Sequence, residues 1–158
     1  MKGDDIANRL LDLAIASLEL ATRIEGTPAG RHIARQLIRC STSTGANYEE
    51  ARSAESPADF AHKVGIAAKE VGETAWWLKI TYRARLAPSA DTARWVSEAR
   101  ELVAILTASA RTARKRITAT ATDGRRPAAQ CPSPVAIAVG VVGSSEDAGD
   151  ADGKVHTL

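Results

Sequence analysis

The sequence predicts an all-α protein: an antiparallel up-and-down four-helix bundle over residues 1–120, followed by a disordered C-terminal tail over 121–158. Three observations predict it. Hydrophobic residues make up 44% of the chain and aromatic residues only 4%, and a core built mainly from Ala, Leu, Ile and Val favours helices over sheets. Apolar and small residues recur at alternating steps of four and three in four separate stretches, which is helical spacing. A breaker stands at each junction between them.

The first predicted helix runs from about Asp5 to Glu25. Asp4 and Asp5 suit its positive N-terminal end, and its seam is Ile6, Leu10, Leu13, Ser17, Leu20 and Ile24. Gly26-Thr27-Pro28 ends it. The second runs from about Ala29 to Ser53, with a seam of Ile33, Leu37, Cys40, Thr44, Asn47 and Ala51. Its middle, Ser41 to Gly45, is poor helix material, so a kink or break near Gly45 is the alternative to one continuous helix. The third opens on Ser56 as N-cap with Pro57 at the first helical position. Its seam is Phe60, Val64, Ala67, Val71, Thr74, Leu78 and Thr81, and it ends near Leu86. Gly65 and Gly72 inside it mark expected close packing. The fourth begins at Ser89 or Asp91, carries Trp95, Ala99, Leu102, Leu106, Ser109 and Ala113, and ends near Thr118. Short connections make successive helices antiparallel neighbours.

Residues 121–158 read differently. They are rich in Ala, Gly, Ser, Pro and Asp and lack helical periodicity, the composition of a disordered segment. Their one apolar run, Val135–Val142, is the longest of the chain and far too short to span a bilayer. The N-terminus is interrupted by charges and does not resemble a secretory signal. Two cysteines in unrelated contexts, Cys40 and Cys131, form no metal or redox motif. A soluble, cytoplasmic protein without membrane contact is expected.

Charge is uneven along the chain. Residues 1–120 hold 18 Lys/Arg against 14 Asp/Glu, whereas 121–158 hold 3 against 5. Arg31, Arg35 and Arg39 fall at steps of four on one helix face and form a narrow basic stripe. Arg114, Lys115 and Arg116, with Arg111, close the fourth helix. Arginine suits bidentate phosphate contact, and the scarcity of aromatic residues near these cations argues against base stacking.

The sequence holds no nucleotide-binding, hydrolase or metalloprotease motif. His32 and His62 lack the Glu-x-x-His pairs of a carboxylate-bridged metal bundle. No catalytic residue, metal or cofactor is expected. Glu50, Glu70 and Glu73 flank their seams and are read as salt-bridge residues. Asn47 falls on the seam, where it should hydrogen-bond across the bundle. Trp76 and Trp77 are adjacent, so they cannot share one core. Trp77 flanks the seam and Trp76 points outward, which argues for self-association.

The stretch RQLIRCSTSTGANYEEARSAESPADFAHKVGIAAKEVGETAWWLKI, Arg35 to Ile80, closely resembles the 23S rRNA-intervening sequence protein family. The resemblance rests on L-x-R-x-x-x-S-x-x-A-N-Y-E-E-A at Leu37–Ala51, Asp59-Phe60 at the next helix start, and I-A-x-K-E-x-x-E-T-x-x-W-L at Ile66–Leu78. It implies an antiparallel four-helix bundle, commonly a ring-shaped homopentamer, from genes often found within insertions in ribosomal RNA genes. A related branch, the accessory variability determinants of diversity-generating retroelements, is strongly basic, binds nucleic acid and partners a reverse transcriptase. The weak net charge of +2 departs from that branch. The functional expectation is a non-enzymatic homo-oligomer, pentameric by resemblance, that binds RNA or DNA through basic helix faces. The alternative is a protein-only adaptor, for example for a reverse transcriptase.

Overall fold

The computed structural model describes residues 3–87 and 89–122. Four helices fill them: α1 (Asp4–Ile24), α2 (Pro28–Arg52), α3 (Pro57–Arg83) and α4 (Ser89–Thr122). No strand occurs among the described residues. From residue 123 onward, the expected disordered tail lies outside them.

The helix ends follow local chemistry. Gly3 stands at the start of α1 with φ of 107°, a left-handed conformation that favours glycine. The Thr27 hydroxyl accepts the Gly30 N–H at 3.0 Å and caps α2, with Pro28 in its first turn. Likewise, the Ser56 hydroxyl accepts the Asp59 N–H at 3.1 Å and caps α3, as the sequence predicts. α3 stops at Arg83, three residues before the expected end. There Arg85 turns left-handed, with φ of 54°, and the Leu86 and Arg85 N–H groups donate to the Thr81 and Tyr82 carbonyls at 3.1 and 3.2 Å. That paired closure caps the helix, although glycine normally occupies the left-handed place. α4 continues to Thr122, four residues past its expected end and two into the predicted tail.

α2 is unbroken through Ser41–Gly45. The side chains of Ser41, Thr42 and Thr44 donate to the carbonyls of Leu37, Ile38 and Cys40 at 2.6, 2.6 and 2.8 Å. Hydroxyls that would otherwise compete with the helix backbone are thereby satisfied along it.

Each helix packs on the next, α1 on α2, α2 on α3 and α3 on α4, while α1 and α4 meet only narrowly. Arg9 bridges that narrow contact, reaching Glu98 at 2.7 Å and Glu101 at 3.0 Å. Ion pairs Arg52–Asp4 and Lys63–Glu50 join the ends of neighbouring helices. The predicted seams of α1 and α3 are buried throughout, as are Ala99, Leu102, Leu106, Ser109 and Ala113 of α4.

One seam position is corrected. Asn47 is half-buried, and Tyr48 beside it takes the core place at 1% exposure. A straight helix drifts by about 20° per heptad against a strict seven-residue repeat. By the third turn of the α2 seam, a further step of four brings Tyr48 inward. The Asn47 amide does not bond across the bundle. It donates to the Ser43 carbonyl and hydroxyl at 2.9 and 3.2 Å, within its own helix.

Candidate nucleic-acid interface

The six cations singled out from the sequence fall into two environments. On α2, Arg31 and Arg35 are exposed, and one Arg31 nitrogen lies 3.4 Å from the Glu25 carbonyl. Arg39 is engaged. Its guanidinium donates to Glu70 at 3.3 Å and also to Glu73, both on α3. Glu73 additionally accepts the Trp77 indole N–H at 3.3 Å, and the His32 ring meets Trp77 edge-on with centroids 5.6 Å apart. The Arg39 hydrogen bond, helped by Trp77, holds the Glu73 carboxyl below the usual carboxylate range against the opposing effect of burial. One guanidinium between two carboxylates leaves a local formal charge of about −1 at neutral pH. The stripe is therefore basic at Arg31 and Arg35 and acidic around Arg39.

The other environment is a groove between α3 and α4 with a volume of about 570 Å3. Arg111, Arg114, Lys115 and Thr118 project into it from α4, and Gly65, Ala68 and Lys69 from α3. The α4 residues sit at steps of three and four, on one helix face, while Ala110 and Ala113 are buried. Arg114 lies over Gly65: a Cβ built on Gly65 would stand 2.8 Å from an Arg114 terminal nitrogen. Gly65, expected to admit a neighbouring helix, instead admits a guanidinium. Over Gly72 a Cβ would meet nothing within 4 Å, so the close packing expected there does not occur among the described residues.

Among the described residues, no carboxylate lines this groove. Among the described residues, Lys69, Arg111, Arg114 and Lys115 form no ion pair, in contrast to Arg9, Arg23, Arg39, Arg52 and Lys63. Arg116 is exposed next to the groove but does not line it. Sequence reasoning found Arg114 and Lys115 but missed Lys69. Its signal was the spacing of Gly65, Ala68 and Lys69, which puts two small residues and a cation on one α3 face.

Glu50 pairs with Lys63 of α3, just as Glu70 and Glu73 pair with Arg39 of α2. Trp76 is 58% exposed and Trp77 is half-buried against the core. Cys40 is a buried free thiol. Among the described residues, no three His, Cys, Asp or Glu side chains cluster as metal ligands, and no helix is long and apolar enough to cross a membrane.

The family model of the 23S rRNA-intervening sequence protein matches residues 5–108. The chain belongs to that family. Its 23S rRNA-intervening sequence protein fold is also that of a crystallised protein of unknown function from the S23 ribosomal protein family of Bacteroides thetaiotaomicron VPI-5482. That structure is 28% identical, with a TM-score of 0.63, and the match covers 71% of this chain and all of the other. Among curated proteins, none matches the chain. No enzyme family is indicated by these relationships. The stretch matched to the 23S rRNA-intervening sequence protein includes Gly65 and Lys69 but ends before Arg111, so the three α4 cations of the groove lie beyond it.

Proposed function

We propose that this protein is a non-enzymatic, homo-oligomeric bundle that binds the phosphodiester backbone of RNA or DNA in the α3/α4 groove. One observation carries the reading: four cations converge on a groove floored by small residues, with no carboxylate among its described lining residues. Unpaired cations release counterions on binding phosphate, which is the main source of sequence-independent affinity. Arg31 and Arg35 add a secondary contact, and Arg116 extends the groove rim. Arg39 serves the α2/α3 ion pairs instead. A pentameric assembly rests on family membership, and the exposed Trp76 beside the open Gly72 supplies an apolar face for a second copy.

Fluorescence anisotropy with labelled single-stranded and duplex RNA and DNA tests this. Affinity should fall steeply between 50 and 200 mM salt. Combined replacement Arg111→Ala, Arg114→Ala and Lys115→Ala should lower the slope of log K against log salt by about 2, at roughly 0.7–0.9 per phosphate contact. Absence of binding at low salt, or equal binding by the triple variant, refutes it and leaves a protein-only adaptor.

A further inference from the structure

A second groove runs between α1 and α2, with a volume of about 670 Å3, and phosphate binding makes no use of it. Leu11, Ile15 and Leu18 rise along its α1 wall at 57%, 46% and 40% exposure. Their steps of four and three give α1 a second apolar stripe beside its buried seam. Gly45 stands in the α2 wall, where a Cβ would meet nothing within 4 Å. The charged residues in the groove, Asp4, Glu49 and Arg52, pair with one another. Asp12 and Glu19 flank the stripe on its α4 side. Both are exposed, one heptad or roughly 10.5 Å apart. Among the described residues Asp12 forms no ion pair, and Glu19 pairs with Arg23 of its own helix at 3.5 Å.

A face of opposite character stands on α3. Trp76, Lys79 and Arg83 are exposed at steps of three and four, which puts them on one helix face. Trp76 and Arg83 are also one heptad apart. Lys79 and Arg83 form no ion pair among the described residues. Gly72, one turn before Trp76, is open like Gly45. Glycine weakens a helix interior, and at neither position does a contact among the described residues account for it.

The two faces complement each other. One is a concave aliphatic groove with acids beside it, and the other is a protruding indole with cations beside it. A buried Trp in an apolar pocket is a common anchor of protein interfaces, and opposite charges around it fix register. Packing order then excludes a contact within one chain. α1 and α3 occupy opposite corners of the bundle, so their outer faces look apart. For the same reason a single two-fold dimer cannot bury both faces. A copy of this chain on either side can, in a head-to-tail contact that repeats.

We propose that Trp76 of one copy inserts into the α1/α2 groove of the next, over Gly45 and against Leu11, Ile15 and Leu18, with Lys79 and Arg83 facing Asp12 and Glu19. This rests on the homo-oligomeric reading above and assigns the two surfaces that assemble. The phosphate groove at Gly65 lies about three helical turns from Trp76 and stays open in such an assembly.

Light scattering after size exclusion, without nucleic acid, tests it. Wild type should run as an oligomer. Trp76→Asp removes the knob, and Ile15→Asp with Leu18→Asp spoils the groove, so each variant alone should be monomeric. An equimolar mixture should form a heterodimer and nothing larger, because one intact knob meets one intact groove. A second pair of variants reads the charges. Asp12→Lys with Glu19→Lys should raise the dissociation midpoint at least about tenfold, and adding Lys79→Glu with Arg83→Glu in the same chain should restore it. Circular dichroism checks that these exposed substitutions leave the helices formed. An oligomeric wild type whose variants keep full mass, form dimers alone, or stay monomeric when mixed overturns this pairing of faces, as does failure of the charge rescue. A monomeric wild type overturns the homo-oligomeric reading as well.

Discussion

Replacing Gly65 with Ala should raise stability and weaken nucleic-acid binding in the same molecule. The position lies inside α3, where Ala is favoured over Gly by about 0.8–1.0 kcal/mol. A new Cβ would stand 2.8 Å from the Arg114 terminal nitrogen and 3.9 Å from its Cζ, with no other contact within 4 Å. The clash is with the far end of a flexible side chain. Moving the guanidinium by about 0.5–1 Å costs a few tenths of a kcal/mol in rotamer strain, so the net gain is about 0.5 kcal/mol. For a domain of this size that is about 1–3 °C in Tm at fixed protein concentration.

Binding should move the other way. Ala at position 65 keeps the charge of Arg114 but lifts it off the groove floor. Losing good geometry in one charge-assisted hydrogen bond costs about 1 kcal/mol, or roughly fivefold in affinity. Because the charge remains, the salt slope should stay near that of the wild type, whereas Arg114→Ala should reduce it by about 0.7–0.9. Thermal denaturation and anisotropy over a salt series read both quantities. Unchanged affinity would show that Arg114 needs no seat on Gly65. A loss of more than about 1 kcal/mol in stability would show that something other than Arg114 occupies that space.

Arg85→Gly should raise stability by about 0.5 kcal/mol, the left-handed strain relieved less the entropy of the unfolded glycine, and Arg85→Ala should give no gain in chemical denaturation. Gly30→Ala should lower stability by about 1–3 kcal/mol, since its Cβ would collide with the Ile24 carbonyl, which is backbone and cannot swing away. Glu73 has a depressed pKa in the folded state, so its pairing with Arg39 stabilises above the ordinary carboxylate pKa and is lost as pH falls through the folded value. The Tm difference between wild type and Glu73→Gln should accordingly be present at pH 7 and vanish in acid, and a pH-independent difference would refute that assignment.

The fold was legible because its signals are local. Seam spacing on α1 and α3 and the Ser56 cap depend on residues within a turn or two of each other, and those positions are buried or bonded as expected. The misreadings arise where local rules accumulate error or need a partner in space. Tyr48 displaces Asn47 because a strict heptad drifts against a straight helix. Arg39 reads as a free cation beside Arg35 until α3 places Glu70 and Glu73 against it, more than 30 positions away in sequence. Lys69 joins Arg111, Arg114 and Lys115 only once α3 and α4 are packed. A pattern along one helix shows which face is apolar, but not which charges on two helices will meet.

That distinction decides how the weak net charge of +2 bears on nucleic-acid binding. At physiological ionic strength, exposed charges are screened beyond about 8 Å. A phosphate in the α3/α4 groove therefore responds to the groove and only weakly to the whole chain. The acids of the bundle are spent largely on cations elsewhere: Glu98 and Glu101 on Arg9, Glu49 on Arg52, Glu50 on Lys63, Glu70 and Glu73 on Arg39. What remains in the groove is four cations facing no carboxylate among the described residues. If three to four of them each neutralise a phosphate, the salt slope is about −3, and a fourfold rise in salt weakens binding by roughly 60-fold. A slope near zero would mean that the groove binds no phosphate, however basic its wall. A slope near −3 that collapses in the Arg111, Arg114 and Lys115 variant, but not in an Arg31 and Arg35 variant, would place the contact on α3 and α4.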